Sequence, residues 1–137
     1  MGFVQTMPSF GKTSRERLAT CDPILQEVFN EVIKYIDCSV LEGTRSEATQ
    51  NKYYDEGKSK FRFPGSKHNS LPSRAADVTP YPVDWDDRER QTLFAGFVLG
   101  VARGMGYTLR WGGDWDIDWQ VNDNKFDDFP HFEVLGK

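Results

Sequence analysis

The chain has 137 residues, a length that favours one folded domain around a single core, here taken as 1–137. Hydrophobic residues make up 38% and aromatic residues 14%, which excludes a disordered chain. The net charge of −4 lacks the cationic field that a phosphate backbone requires, so we expect no nucleic-acid partner. No apolar stretch approaches the roughly 20 residues needed to span a bilayer, and we expect no membrane insertion.

The first third of the chain is predicted to contain a polar arm followed by an amphipathic helix. Residues 1–18 show no sustained periodicity and predict an N-terminal arm. Asp22 offers an N-cap, and the apolar residues of 24–36 recur at helical spacing. A helix of about 14 residues would separate Cys21 from Cys38 by roughly 20 Å, whereas a disulfide needs Cα atoms within about 7 Å. We therefore predict two free thiols.

The remaining elements alternate between short strands and helices. In chain order they are a strand at 38–41, a helix capped by Ser46 and ending at Tyr54, a long loop at 58–73, a strand at 75–79, a helix opened by Asp86 or Asp87 and stopped near Gly104 and Gly106, a strand at 107–111, a loop at 112–128 and a strand at 131–135. The strands are too short and too few for a doubly wound parallel sheet. We predict an α+β fold, in which about three helices pack on a small antiparallel sheet.

Both histidines of the chain lie in segments that also carry carboxylates. Asp77 is flanked by small and apolar residues of a predicted strand, where its charge needs a cation. Alternation in the last strand places His131 and Glu133 on one face. Together with His68, two imidazoles and the Asp77 carboxylate leave one open position on a tetrahedral zinc, and Asp128, three residues before His131, could serve as general base.

A structural alternative exists for each of these residues. His68 can be a solvated loop residue, and Asp77 can pair with Arg74 or Arg45. His131 can cap a strand. Spacing alone does not decide between a metal site and these ordinary roles.

The segment 111–128 combines acidic, amide and indole side chains. Its carboxylates and amides are oxygen ligands that suit calcium, although a solvated acidic loop fits the same composition: Asp114, Asp116, Asp118, Asn122, Asp123 and Asn124. Trp111, Trp115 and Trp119 either wall a cleft or pack in the core.

Three local motifs occur in a fixed order along the chain. They are Gly43-Thr44-Arg45-Ser46-Glu47-Ala48-Thr49-Gln50, then Ser66-Lys67-His68 leading through Pro72-Ser73-Arg74-Ala75 to Asp77, then Asp128-Phe129-Pro130-His131-Phe132-Glu133. Over residues 20–135 this order resembles the zinc D-alanyl-D-alanine peptidase superfamily, which shares its fold with the hedgehog signalling domain. The superfamily includes vancomycin-resistance D,D-dipeptidases, D,D-carboxypeptidases and phage L-alanyl-D-glutamate endolysins. The small size and the Trp111-Gly112-Gly113-Asp114-Trp115 segment favour the endolysin branch.

The resemblance implies a role for each motif. It implies one zinc ion bound by His68, Asp77 and His131, a catalytic base at Asp128, an oxyanion-facing or substrate-facing Arg45, and supporting substrate contacts from Gln50 and Ser66. Glu133 is a second candidate for the base, although we expect it to orient His131 or Arg45. The nine-residue interval from His68 to Asp77 exceeds the seven of many members, so the loop between them must bulge.

The function implied by the resemblance is zinc-dependent cleavage of the L-Ala–D-Glu bond in peptidoglycan stem peptides, with lysis of the host cell wall. A D,D-carboxypeptidase that trims terminal D-Ala and a non-catalytic zinc-containing wall-binding module remain alternatives. Asp128 favours an enzyme, because a binding module needs no acid beside the zinc. Residues 1–12 lack the apolar centre of a signal peptide. We therefore expect the protein to stay in the host cytoplasm until a separate membrane pore releases it. We also expect a monomer.

Overall fold

The computed structural model describes residues 8–122 and 127–136. These residues contain four α-helices, one short 3-10 helix and four strands. In chain order they are α1 (Lys12–Leu18), α2 (Pro23–Val32), β1 (Cys38–Glu42), α3 (Glu47–Asp55), the 3-10 helix (Lys67–Asn69), β2 (Ala75–Pro80), α4 (Arg88–Gly104), β3 (Thr108–Gly112) and β4 (Asp128–Gly136). The predicted α+β class is confirmed. Within these residues no helix has the length and apolarity to cross a membrane.

The four strands form one antiparallel sheet in the order β1-β2-β4-β3. Asp77 on β2 pairs directly with His131 on β4. On the other side of β4, Arg110 of β3 pairs with Glu133. The polar residues predicted on separate strands therefore become neighbours across the middle of the sheet.

The two faces of β4 have different surroundings, as its alternation predicts. Phe132 and Val134 are buried on the face covered by helices, where the Phe132 ring contacts Phe29 of α2 and Phe94 of α4 at centroid distances of 5.5 and 6.2 Å. His131 lies on the opposite face with Glu133. The apolar core thus supports the strand from below, and polar side chains of the same strand line the site above it.

Side-chain caps begin the three longer α-helices where the sequence predicts. Asp22 accepts a hydrogen bond from the Ile24 N–H at 2.9 Å, and Ser46 accepts one from the Thr49 N–H at 3.2 Å. Asp87, rather than Asp86, caps α4. These caps satisfy N–H groups that otherwise lack a partner in the first turn of a helix.

The two cysteines are free and buried, as predicted. Burial raises the pKa of Cys21 to about 11 and that of Cys38 to about 12. Both side chains therefore act as small apolar parts of the core and not as reactive thiolates.

Within the N-terminal arm expected over 1–18, residues Lys12–Leu18 form α1, a helix that the sequence did not predict. The Val40 N–H donates a hydrogen bond to the Ser14 hydroxyl at 3.0 Å, so this helix is fastened to the edge strand β1. Leu18 at its end and Phe10, two residues before it begins, are buried. A seven-residue helix completes too few turns to show an apolar period, and for this reason the pattern was not visible. The first seven residues of the chain lie outside the described residues.

Candidate metal centre and active-site cleft

His68, Asp77 and His131 converge at one point on the polar face of the sheet. Asp77 Oδ1 lies 3.2 Å from His68 Nε2 and 3.4 Å from His131 Nδ1. One ligand atom from each residue falls within 4.8 Å of the others. Both histidines are buried, so neither is the solvated loop residue or simple strand cap of the structural alternative.

Each imidazole is held by its second nitrogen. The Nδ1–H of His68 donates to the Gly43 carbonyl at 2.8 Å, and the Nε2–H of His131 donates to Glu133 Oε1 at 2.8 Å. A neutral imidazole that donates from one nitrogen has its lone pair on the other. When both imidazoles are neutral, the lone pairs of His68 Nε2 and His131 Nδ1 are on the side of the Asp77 carboxylate. This donor set fits a divalent cation such as zinc.

The loop before β2 holds His68 rigidly. The Ser66 hydroxyl accepts a hydrogen bond from the His68 N–H at 3.1 Å, and Asn69 Oδ1 accepts one from the Ser66 N–H at 3.0 Å. The Arg45 N–H also donates to the His68 carbonyl at 2.7 Å. The long interval between His68 and Asp77 thus contains a capped 3-10 turn. Ser66 lines the cleft, and its predicted contact with substrate stays a prediction.

The charged groups around the centre shift one another's pKa values. Burial opposes a charge on His131, but hydrogen bonds to Asp77 and Glu133 outweigh burial and raise its pKa to about 9. Burial likewise opposes ionisation of Glu133, yet His131 and Arg110 lower its pKa to about 2. The pKa of Asp77 is well below its usual range, because both histidines outweigh its burial. At neutral pH and without a metal, His131 is therefore protonated and positively charged, and its neighbouring carboxylates are ionised.

Asp128 stands beside the three convergent residues. Its Oδ2 lies 3.9 Å from His131 Nδ1, and its side chain is 37% exposed. Burial, followed by the negative charge of Asp77, raises the pKa of Asp128. Asp128 is the first residue of β4, whereas the sequence predicted it as the last residue of the preceding loop. It pairs with Gly112 of β3, and a Cβ at position 112 would collide with the Asp128 carbonyl. The backbone thus fixes a carboxylate that can take up and release a proton at the centre.

Arg45 lies at the edge of the same group and lines the cleft. Its guanidinium donates to Glu42 through Nε and Nη2 and to Gln50 Oε1 through Nη1, at 2.9 Å for the last. Nη2 is 4.0 Å from Asp77 Oδ2. Arg74 instead pairs with Asp22 at 3.6 Å. Glu42, the last residue of β1, therefore holds the arginine that approaches Asp77.

Gln50 is buried beneath Arg45 and does not line the cleft. Its amide NH₂ donates to Ser59 Oγ at 2.9 Å and to the Phe61 carbonyl at 2.5 Å. Its carbonyl oxygen accepts hydrogen bonds from Arg45 and, at 3.1 Å, from Asn69. All of its polar capacity is used inside the protein, so Gln50 positions Arg45 and the 58–61 loop.

The pairing of Arg110 with Glu133 is a part of the site that sequence reasoning missed. Arg110 Nη2 donates to Glu133 Oε2 at 2.8 Å, while the other oxygen of Glu133 accepts from His131. Glu133 thus orients His131, one of its two expected partners, and does not contact Arg45. Alternation in the 107–111 segment indicates only which face of the strand Arg110 occupies. The register of β3 against β4 places Arg110 opposite Glu133.

A cleft of about 530 Å³ opens above the centre. Its lining includes residues of the loop at 58–67 together with Arg110, Trp115 and Asp116. Trp115 lies against His131 at a centroid distance of 5.3 Å. Trp111 is buried and stacks on Phe129, whereas Trp119 is exposed. Of the two roles expected for these tryptophans, Trp115 lines the cleft and Trp111 packs in the core.

The acidic loop brings three of its carboxylates together. Ligand atoms of Asp114, Asp116 and Asp118 lie within 4.8 Å of one another. Asp114 is buried, which raises its pKa, and it accepts hydrogen bonds from the N–H groups of Asp118 and Trp119 at 3.1 and 2.9 Å. Two of the proposed calcium ligands, Asp123 and Asn124, lie outside the described residues. Calcium binding stays a prediction.

Two imidazoles and one carboxylate at the floor of a cleft form a group that could hold a metal ion, and a second carboxylate lies beside them, an arrangement that suits hydrolysis. The chain belongs to the phage L-alanyl-D-glutamate peptidase family, whose family model matches residues 6–135. It is 29% identical over 119 residues to the L-alanyl-D-glutamate peptidase of Escherichia phage T5, covering 83% of this chain and 86% of that protein. Its structure is similar to the crystal structure of Serratia marcescens L-Ala D-Glu endopeptidase ChiX, with a TM-score of 0.72 and 30% identity over 90% of this chain and 86% of that chain.

These findings confirm the resemblance drawn from the three motifs. Family membership makes the chain a peptidase, and the similarity in structure extends over nearly all of it. The alternative of a non-catalytic module loses its support, because the family and both relatives are named for peptidase activity.

Proposed function

We propose that the chain is a zinc-dependent endolysin that cleaves the L-Ala–D-Glu bond of peptidoglycan stem peptides. The convergence of His68 Nε2, His131 Nδ1 and Asp77 Oδ1 at the cleft floor carries the proposal of a metal. The bond is proposed from the family, whose relatives are L-alanyl-D-glutamate peptidases. Zinc suits a site of two neutral imidazoles and one carboxylate.

The residues around the centre have complementary tasks in hydrolysis of an amide. Bound zinc supplies Lewis acidity, which lowers the pKa of water toward about 7. Asp128 accepts a proton from the attacking water and passes it to the leaving amine, a task that suits a half-exposed carboxylate with a raised pKa. Arg45, held in place by Glu42 and Gln50, stabilises the negative charge that develops on the carbonyl oxygen.

Glu133 is assigned to orientation and not to proton transfer. Both of its oxygens are occupied, one by His131 and the other by Arg110, at 2.8 Å each. Its pKa of about 2 also leaves it a weak base at neutral pH. Asp128 is therefore the stronger candidate for the base.

The cellular setting is a separate proposal, which membership of a phage family supports. We propose that the protein acts as a monomer on the host cell wall after a separate membrane pore has released it from the host cytoplasm. Size-exclusion chromatography with light scattering tests the monomer, and lysis that depends on co-expression of such a pore tests the route of release.

The decisive experiment is mass spectrometry of purified peptidoglycan digested by the wild type and by Asp128→Asn, with zinc content measured for both. We expect new D-Glu amino termini with the wild type and none with Asp128→Asn, at one zinc per chain. Asp127→Asn is the matched control, because Asp127 pairs with Arg88 at 2.9 Å and does not line the cleft. Release of terminal D-Ala would identify a D,D-carboxypeptidase, and bound zinc with no new termini would identify a wall-binding module.

A further inference from the structure

The cleft carries an excess of positive charge in an acidic protein. Its lining includes five basic side chains, Arg45, Lys58, Lys60, Lys67 and Arg110, and three acidic ones, Asp116, Asp128 and Glu133. Asp77 at the floor adds a fourth carboxylate, which still leaves the basic side chains in excess. The chain as a whole has a net charge of −4. A cleft whose charge is opposite to that of the whole protein favours an anionic ligand.

Three of the basic side chains already have acidic partners. Arg45 pairs with Glu42, Arg110 with Glu133, and Lys58 with Glu56 at 3.2 Å. These contacts neutralise the cations within the protein. Their charges are therefore less available to a ligand than that of a lysine without a partner.

Lys67 differs from these three. Across residues 8–122 and 127–136, its ammonium has no ion pair and no hydrogen bond. Its backbone is nevertheless fixed, because it opens the capped 3-10 helix and its carbonyl accepts from the Arg74 N–H at 3.1 Å. The next residue is His68, one of the three convergent residues. A cation is thus held on the cleft wall beside the metal centre.

The substrate of the proposed function offers a matching anion. A glutamyl residue has two carboxyl groups, and only one of them can continue the peptide chain. The other remains a carboxylate or is capped as an amide. It belongs to the leaving group of an L-Ala–D-Glu cleavage, and so it enters the cleft next to the reacting bond.

We propose that Lys67 binds this free carboxylate of D-Glu, and that the enzyme therefore prefers stem peptides with an unamidated D-Glu. The inference rests on the proposed function. A primary amide has nearly the same shape as a carboxylate but no charge, so it forfeits the charge-assisted hydrogen bond to the ammonium. One such contact at a solvent-accessible wall corresponds to about a tenfold difference in kcat/KM.

The test compares two synthetic peptides that differ only at this group. Both contain the L-Ala–D-Glu bond and an amidated C-terminus, and one has the D-Glu carboxylate free while the other has it as a primary amide. The wild type is expected to cleave the free carboxylate peptide about tenfold faster in kcat/KM. Lys67→Met is expected to lose this preference by acting more slowly on the carboxylate peptide alone, and Lys67→Arg to keep most of it.

Lys34→Met is the matched control, since Lys34 pairs with Glu31 on the surface and does not line the cleft. Equal cleavage of the two peptides by the wild type would overturn the inference while leaving the proposed function intact. An equal loss on both peptides in Lys67→Met, at unchanged zinc content, would also overturn it. If neither peptide nor purified peptidoglycan is cut at L-Ala–D-Glu, the proposed function fails and the inference with it.

Discussion

Glu133 Oε1 accepts a hydrogen bond from His131 Nε2 at 2.8 Å, and this contact decides which nitrogen of His131 faces Asp77. The two residues stand two positions apart on β4, where alternation places them on the same face. Arg110 holds the other oxygen of Glu133. A chain of contacts therefore runs from a cleft-wall arginine to a ligand of the proposed metal.

Replacing the Glu133 carboxylate is expected to weaken metal binding. Glu133→Gln retains an acceptor for His131 but removes the negative charge and the ion pair with Arg110. We expect zinc affinity to fall about 10-fold to 100-fold, as is typical when a partner of a ligating histidine is changed. Competition with a chromophoric chelator measures the change. Glu47→Gln, in the first turn of α3, is the control, and equal affinity in both variants would show that Glu133 does not tune the site.

Zinc binding is expected to release a proton from His131. The pKa of about 9 means that the metal-free site is protonated at neutral pH, whereas a ligating imidazole must be neutral. The apparent affinity should therefore weaken as the pH falls below that value, by about tenfold per pH unit where one proton is displaced. Calorimetry at pH 7 in two buffers of different ionisation enthalpy gives the number of protons. Heats that do not depend on the buffer would contradict this expectation.

Loss of Arg45 is expected to slow catalysis without emptying the metal site. Arg45→Ala should lower kcat by on the order of 100-fold or more, as removal of an oxyanion donor does. Arg45→Lys should rescue little, because a lysine cannot reproduce the forked contacts with Glu42 and Gln50. Steady-state kinetics and zinc content are measured together. Arg62→Ala, at an exposed pair with Asp55, is the control, and near wild-type turnover in Arg45→Ala would exclude the assigned role.

Gln50 is expected to matter for stability as well as for activity. Gln50→Ala leaves the partners of its buried amide unsatisfied, among them Arg45 and Asn69. We expect the free energy of unfolding to fall by about 2 kcal/mol or more. Chemical denaturation of the zinc-loaded protein measures the loss. Gln120→Ala in the exposed loop should change the free energy little, and equal stability of the two variants would refute the buried role of Gln50.

Much of the fold could be predicted because it depends on neighbours in the chain. The caps at Asp22, Ser46 and Asp87 bond N–H groups two or three residues away, and such short-range signals are visible in the sequence. Alternation along β4 likewise separated His131 from Phe132 before any contact was known. The helix α1 was missed because its stability comes from packing on β1 and not from a period of its own.

The sequence by itself determined the residue types of the site, because two histidines and a few carboxylates in three ordered motifs leave little choice of ligands. Only the tertiary structure decided which nitrogen of each imidazole faces Asp77. The Gly43 carbonyl, 25 residues before His68, binds one nitrogen of His68, and Glu133 on the same face of β4 binds one nitrogen of His131. The tertiary structure also assigned Arg110 to Glu133 through strand register. Register depends on pairing between distant segments, and no local pattern in one strand contains that information.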